Sequence, residues 1–241
     1  MRAVVLGLVL AYIMPTYSVL KRLATGRDEL TVTALKVEGL GAVAPVIAKD
    51  VADQLGTSWT SGELTLTAVV SMRFPGRCRL DLSSPESTRT MSFVWNNGKK
   101  RQEGGELPAA AIALDELCSL LALRSGTDGE SRAAVEKHLA ALKVNMRDTS
   151  LGRFAGTVAF VVGDRAETSP QLWVYKDRFQ PARVRLTEGG AQWDVRFIDY
   201  TSQATGDWFP RIVEVYKGNE QLLRLTVLNA DGHAELNDVK F

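Results

Sequence analysis

The sequence has few of the residues on which metal and catalytic sites commonly depend. Its 241 residues include only two cysteines and two histidines. His138 and His233 stand far apart without companions at the spacing of a ligand set, and we expect a solvated His138. The motifs HExxH and GxSxG are both missing. We therefore predict no catalytic residue, no metal and no cofactor, and interpret the protein as a non-enzyme.

An excess of one charge is also lacking. The chain has 29 Lys and Arg against 28 Asp and Glu, a formal net charge of +1. Nucleic-acid binding requires a concentrated basic surface that displaces counterions, and the one local run, Lys99-Lys100-Arg101, is short. Nucleic acid is therefore not an expected partner.

Long apolar runs are rare, and the clearest one lies at the N-terminus. Arg2 precedes the apolar segment 3–14, and Pro15 follows it. This arrangement predicts an export signal over 1–18, cleaved after Ser18, and hence a periplasmic mature chain. The alternative is an uncleaved anchor, because the segment approaches the length that spans a bilayer when it is counted through Leu20.

Alternating apolar residues predict many strands. In GELTLTAVVSMRFPGRCRLDL, residues 62–82, apolar side chains fall on one face and polar side chains on the other. This period of two is typical of a strand with one dry side and one wet side. Strands are predicted at 31–38, 63–74, 77–82, 90–95, 99–102, 157–162, 171–176, 182–187, 192–200, 211–217 and 222–228.

Helical patterns interrupt these strands. Short or amphipathic helices are predicted at 19–24, 42–55 and 130–143, and the segment after Pro108, AAAIALDELCSLLAL, is apolar on nearly every side. GLGAVA at 39–44 follows a strand as a dinucleotide-binding loop would, but a run of strands follows, so we predict a turn. Sequential antiparallel strands in this number roll into a barrel or half-barrel, which the apolar helix could plug. Whether the interior is empty or filled is left open.

The order of the motifs resembles a known superfamily. After GELTLTAVVSMRFPGRCRLDL come SFVWNNGKK, the apolar helical insert, GRFAGTVAFVVG, QLWVYKDRFQPARVRL, WDVRFIDY, DWFPRIVEVYKG and LNDVKF. Over essentially the whole mature chain this resembles the LolA/LolB superfamily of periplasmic carriers of outer-membrane lipoproteins. The resemblance implies a mainly β single domain over 19–241. It would be an incomplete antiparallel β-barrel of about eleven strands, closed by a helical lid at about 108–143.

The resemblance also implies a function in transport within the cell envelope. The cavity would bind acyl chains of lipoproteins or free lipid and carry them from an inner-membrane donor to an outer-membrane acceptor, and the carrier is expected to be a monomer. The alternative is an envelope sensor or scaffold protein of the same fold with a filled cavity. The 42–55 helix is interpreted as an insertion relative to the short carrier, so the identity of the cargo is not predicted.

Particular residues are assigned through this resemblance. The expected lid residues are Ile112, Leu117, Leu120 and Leu121. The expected lipid-binding residues are the inward-facing apolar side chains of the strands: Leu66, Val70, Met72, Leu80, Phe93, Trp95, Phe160, Val174, Val184, Leu186, Trp193, Val195 and Phe197.

Two further expectations concern the lid. An arginine before a proline holds the lid shut in the carrier, and Arg73 is the matching position, with Arg77 or Arg79 as alternatives because alternation puts Arg73 on the outer face. Cys78 shares the dry face and Cys118 lies in the lid. In an exported chain they either form a disulfide across the cavity mouth or remain two buried thiols.

Overall fold

A computed structural model describes residues 13–30, 32–123, 130–201 and 209–241, and in these ranges the chain forms four helices and twelve strands. The helices are α1 (Thr16–Asp28), α2 (Pro45–Leu55), α3 (Pro108–Leu121) and α4 (Glu130–Ala141). The strands are β1 (Ala34–Val43), β2 (Leu64–Arg73), β3 (Arg77–Ser83), β4 (Thr90–Asn96), β5 (Lys99–Glu103), β6 (Thr149–Phe154), β7 (Thr157–Val162), β8 (Gln171–Tyr175), β9 (Pro181–Glu188), β10 (Ala191–Ile198), β11 (Ile212–Lys217) and β12 (Glu220–Asp231).

All twelve strands belong to one antiparallel sheet. Its order is β5-β4-β3-β2-β1-β12-β11-β10-β9-β8-β7-β6, so two meanders, β1 to β5 and β6 to β12, are joined where β1 pairs with β12. β5 and β6 are the two edges, and the sheet is open rather than closed into a barrel. The predicted fold class is confirmed, with twelve strands where about eleven were expected.

The sheet curves around α3. This helix contacts β3 and β4 in the first meander and β10, β11 and β12 in the second, which a flat sheet of this width would not allow. α1 packs on α4, and α2 places its apolar face in the same hydrophobic cluster as the inner side of the sheet. The helices therefore cover the concave face, and the convex face is free of helices among the described residues.

Local sequence explains most boundaries. Along β2 the residues from Leu64 to Ala68 alternate between buried and exposed, as the period of two predicted. Asn97 and Gly98 both have positive φ, 48° and 88°, which matches the tight turn predicted between β4 and β5. α2 has Pro45 in its first turn and ends at Gly56, whose φ of 66° is the left-handed conformation that glycine adopts readily.

Three local predictions need correction. GLGAVA does not make a turn, because Gly39 and Gly41 continue β1 to Val43. Gly39 lies at a bulge, where a Cβ would come within 2.3 Å of the Thr226 carbonyl oxygen of β12. β6 was not predicted, and α1 is longer than the predicted helix 19–24. α1 begins inside the predicted signal 1–18, most of which lies outside the described residues, so cleavage remains a prediction.

Candidate functional site: the inner face of the sheet and the helix that covers it

The inner face is a continuous apolar surface. All but one of the residues expected to bind lipid are buried in a single hydrophobic cluster, and Trp95 is half-buried against it. The buried members are Leu66, Val70, Met72, Leu80, Phe93, Phe160, Val174, Val184, Leu186, Trp193, Val195 and Phe197. The register pairs Val184 with Val195 and Leu186 with Trp193, so neighbouring strands present these side chains to the same side. The structure thus brings the predicted set together on one surface.

α3 occupies that surface. Eleven of its fourteen residues are buried, because the helix is apolar on nearly every side and the sheet surrounds it. The expected lid residues Ile112, Leu117, Leu120 and Leu121 are all among them. The position that acyl chains would take against the sheet is therefore held by a helix of this chain.

The C-terminal part of α3 is fixed covalently. Cys78 of β3 and Cys118 of α3 form a disulfide bond with an S–S distance of 2.08 Å, the first of the two alternatives left open by the sequence. Both side chains are buried in the cluster. The bond attaches the helix to the sheet three residues before Leu121, the last residue of the fourteen-residue helix.

Arg27 makes a second attachment, which sequence reasoning missed. Its Nε and Nη2 donate to the Leu121 carbonyl oxygen at 3.3 and 3.1 Å, so α1 holds the last turn of α3. The side chain is buried, and burial lowers the pKa of Arg27 to about 10, which leaves it charged at neutral pH. A signal was present in the sequence: Arg27 follows Leu20 and Leu23 at helical spacing, on the buried face of α1.

Arg73, the expected latch, has a different partner. It donates to the Leu236 carbonyl oxygen at 2.8 Å, and its guanidinium carbon lies 5.7 Å from the centre of the Phe241 ring. Arg79 likewise donates to the Lys240 carbonyl oxygen at 3.0 Å. These outward-facing arginines hold the C-terminal segment against β2 and β3. The arginine that contacts α3 is Arg27.

A polar pair links α3 to α4. His138 Nε2 lies 2.8 Å from Oε2 of Glu116, and their side chains are only 13% and 1% exposed, so the expectation of a solvated His138 was wrong. Burial alone would lower the pKa of His138. The charge and hydrogen bond of Glu116 outweigh burial and raise that pKa above its ordinary value. Asp115 of α3 raises it further and Lys100 of β5, which is paired with Asp115 at 2.7 Å, opposes the increase.

Two tyrosines lie in contact at the edge of this core. Tyr175 and Tyr200 have ring centres 6.3 Å apart, and the Tyr175 hydroxyl donates to the Phe197 carbonyl oxygen at 3.1 Å. The Tyr200 hydroxyl is buried and has no hydrogen-bond partner among the described residues. Burial raises the pKa of Tyr200 strongly, so this hydroxyl stays neutral.

The described residues contain no cluster of three or more His, Cys, Asp or Glu side chains that could hold a metal ion. None of their helices is both long enough and apolar enough to cross a membrane.

Similar folds are found among solved structures. A LolA superfamily protein from Nitrosomonas europaea is 10% identical with a TM-score of 0.48, over 93% of this chain and 96% of that chain. A DUF1329 family protein from Desulfovibrio piger is 13% identical with a TM-score of 0.46, over 93% and 96%. The MucA/MucB complex of Pseudomonas aeruginosa contains a chain 15% identical with a TM-score of 0.33, over 92% of this chain and 59% of that one.

No protein-family model and no curated protein sequence matches this chain. The superfamily that the sequence resembles is thus represented among the similar folds, as predicted. The arrangement of α3 on the sheet defines the candidate site of this chain.

Proposed function

We propose that this protein is a non-enzymatic carrier in the bacterial periplasm that binds the acyl chains of lipoproteins or lipids on the inner face of its sheet. One observation carries the proposal: α3 is apolar on nearly every side and lies inside the concave face. Such a helix covers an apolar surface that would otherwise be exposed to water. An acyl chain can cover the same surface when the helix moves away.

The energetics of acyl transport favour such an exchange. Each methylene group exposed to water costs about 0.8 kcal/mol, so an acyl chain of about 15 methylenes costs on the order of 12 kcal/mol. When α3 leaves the inner face, apolar side chains of both the helix and the sheet become exposed to water. The incoming acyl chain then covers the apolar side chains of the sheet again. The burial of the cargo itself then compensates for the exposure of the helix.

The attachments of α3 decide which part of it can move. The disulfide at Cys118 and the Arg27 contact with Leu121 both hold the C-terminal half. The N-terminal half follows Gly104 and Gly105, whose φ values of 77° and 154° lie outside the range that other residues adopt readily. We place the hinge at this glycine pair and the pivot at Cys118, so that Pro108–Asp115 swings outward. The exposed Lys100–Asp115 ion pair would break in the process.

The proposed carrier is exported to the periplasm and exchanges its cargo with partner proteins. A disulfide persists in an oxidising compartment such as the periplasm, which agrees with the predicted signal over 1–18. A carrier of this kind receives its cargo from an inner-membrane donor and delivers it to an outer-membrane acceptor. Either exchange requires contact near the hinge, where the moving half of α3 begins.

A second candidate is an envelope sensor or scaffold protein of the same fold with a permanently filled interior. The burial of α3 and its two attachments favour this reading, because both stabilise the occupied state. The two candidates differ in one measurable property, which is the presence of a displaceable helix.

The proposal is tested with fluorescent fatty acids of increasing length. If the chain is buried on the inner face, each added methylene tightens binding by about fourfold until the face is covered. Mass spectrometry of the protein purified natively from periplasm should also detect an acylated ligand. A protein that purifies without ligand and binds none of the series contradicts the carrier and supports the sensor or scaffold.

A further inference from the structure

The convex face of the second meander carries a dense set of arginines and aromatic rings that acyl binding does not use. Arg183 and Arg185 of β9 point away from the inner face, and the register places Arg196 and Asp194 of β10 opposite them. Arg183 lies over the ring of Trp173 in β8, with its guanidinium carbon 5.5 Å from the ring centre. The outer side of a sheet that faces water does not require such a cluster.

Two neighbouring hollows open on this face. One has a volume of about 420 Å³ and reaches across β9 and β10 to Gly218. The other has a volume of about 440 Å³ and reaches across β6 to β9, past Arg165 and Trp173. Both are lined by Arg183, Arg185 and Glu167, so they form one groove across the strands, which we call the arginine groove.

Two arginines of the groove share one carboxylate. Asp194 accepts hydrogen bonds from Nε and Nη2 of Arg183 at 2.7 and 2.5 Å and pairs with Arg196 at 2.9 Å. One buried carboxylate therefore orients two guanidinium groups. This arrangement fixes the groove walls and leaves Arg185, at the centre of the groove, to be matched separately.

Arg185 has a weak and displaceable partner. Its Nη1 donates to the Glu167 carbonyl oxygen at 3.0 Å, while Nη2 lies 3.5 Å from Oε1 of the same residue. The Arg185 side chain is 18% exposed and the Glu167 side chain is 90% exposed. The Glu167 carboxylate therefore contacts the guanidinium group from the solvent side and remains largely hydrated. Burial, and then the charge of Arg183, lower the pKa of Arg185, while Asp194 and Glu167 oppose this decrease.

We infer that the arginine groove binds an acidic peptide segment, with one carboxylate replacing that of Glu167 on Arg185. A guanidinium group binds a carboxylate through two parallel hydrogen bonds, which makes it the natural anchor for such a ligand. Trp173 lies in the groove beside Arg183, and Trp and Arg are the residues that contribute most to peptide and protein interfaces. In the free protein, Glu167 acts as an internal placeholder.

The shape of the groove favours a peptide over a single small anion. Each hollow holds several times the volume of one phosphate or carboxylate, and Glu167, Arg183 and Arg185 line both. A chain crossing both would meet Arg165, Arg185 and Arg196 in succession. Arg183, Arg185 and Arg196 lie on the opposite side of the sheet from α3, so substitutions of these arginines leave the proposed acyl-binding surface in place.

The test uses labelled hexaglutamate and hexaglutamine peptides and measures fluorescence anisotropy at low and high salt. We expect hexaglutamate to bind, hexaglutamine not to bind, and added salt to weaken the complex. Arg185→Ala should weaken binding by at least about tenfold. Glu167→Gln should tighten it by about threefold, because the internal competitor is removed.

Matched controls make the result specific. Arg224→Ala removes an arginine from the same convex face in β12, outside both hollows, and should leave hexaglutamate binding unchanged. Arg185→Lys keeps the charge but loses the paired hydrogen bonds, so it should bind almost as weakly as Arg185→Ala and carries the test if the alanine variant fails to fold. All these variants should bind fatty acid like the parent.

Three results would overturn the inference. Equal losses in the Arg185 and Arg224 variants would mean non-specific attraction to charge. Complete competition by millimolar inorganic phosphate would mean a small-anion site, and stronger Arg185-dependent binding to phosphatidylglycerol vesicles than to hexaglutamate would mean a membrane surface. None of these results bears on acyl binding, which fatty-acid titration measures separately.

Discussion

At the residue scale, Tyr175 and Tyr200 show how two similar side chains contribute differently to stability. Their rings are in contact, yet only Tyr175 has a hydrogen-bond acceptor, the carbonyl oxygen of Phe197. The Tyr200 hydroxyl, in a residue that is 3% exposed, has no partner among the described residues. A buried polar group without a partner loses its hydration and gains nothing in return.

We predict that Tyr200→Phe stabilises the protein by up to about 1–3 kcal/mol in free energy of unfolding, because it removes an unsatisfied hydroxyl and keeps the ring. Tyr175→Phe is the matched control and should cost about 1 kcal/mol, since it breaks a hydrogen bond. Urea unfolding of both variants measures the difference. Equal losses would show that the Tyr200 hydroxyl has a partner in the folded protein.

At the element scale, the pair between His138 and Glu116 connects the two helices that cover the sheet. The pKa of His138 is raised in the folded protein, so the folded state binds this proton more tightly than the unfolded state. The resulting stability is fully present below the ordinary histidine pKa of about 6.5. It is lost as the pH rises through the raised pKa.

We therefore predict a pH-dependent effect of His138→Gln. The variant should be less stable than the parent at pH values below about 6.5, and the gap should narrow as the pH rises above the raised pKa of His138. Glu116→Gln removes the charge that raises the pKa of His138 and should show the same trend. Thermal unfolding at a series of pH values measures both, and a gap that widens with rising pH would contradict the assignment.

The disulfide stabilises the packing of α3 on the sheet. It joins residues separated by 40 positions, and closing a loop of that length removes entropy from the unfolded chain worth about 4 kcal/mol. We predict that the double variant Cys78→Ala and Cys118→Ala loses about that amount of stability in denaturant unfolding and that α3 exchanges its amide hydrogens faster. A variant with unchanged exchange in α3 would show that the remaining contacts suffice to hold the helix.

At the scale of the whole molecule, the sequence predicts those elements whose residue pattern depends only on which of their sides are buried. β2 alternates because one side meets the core and the other meets water, and α3 is apolar all round because the sheet surrounds it. Gly39 was misread because its role depends on close approach to Thr226, far away in the sequence. β6 carries Gly152, whose absent side chain makes room for the ring of Trp173, so its pattern was not strand-like.

The contacts that secure the candidate site could not be read in the same way. Arg27 meets a backbone carbonyl of α3, and Glu116 meets a side chain of α4. Each pair depends on how helices pack, which no periodicity encodes. Arg73 was assigned by position in a motif, and its outward direction gives it the C-terminal segment as a partner instead. The apolar surface and the choice between a disulfide and two buried thiols could therefore be stated from the sequence, while the polar attachments of α3 required the structure.

In the proposed carrier, an acyl chain and the N-terminal half of α3 compete for the same face of the sheet. Amide hydrogen exchange with and without a saturating palmitoyl-length fatty acid measures this competition directly. We predict that ligand speeds exchange across Pro108–Asp115, which is displaced, and leaves β9 to β12 as protected as before. Bound ligand with unchanged exchange in α3 would place the acyl site elsewhere and contradict the account.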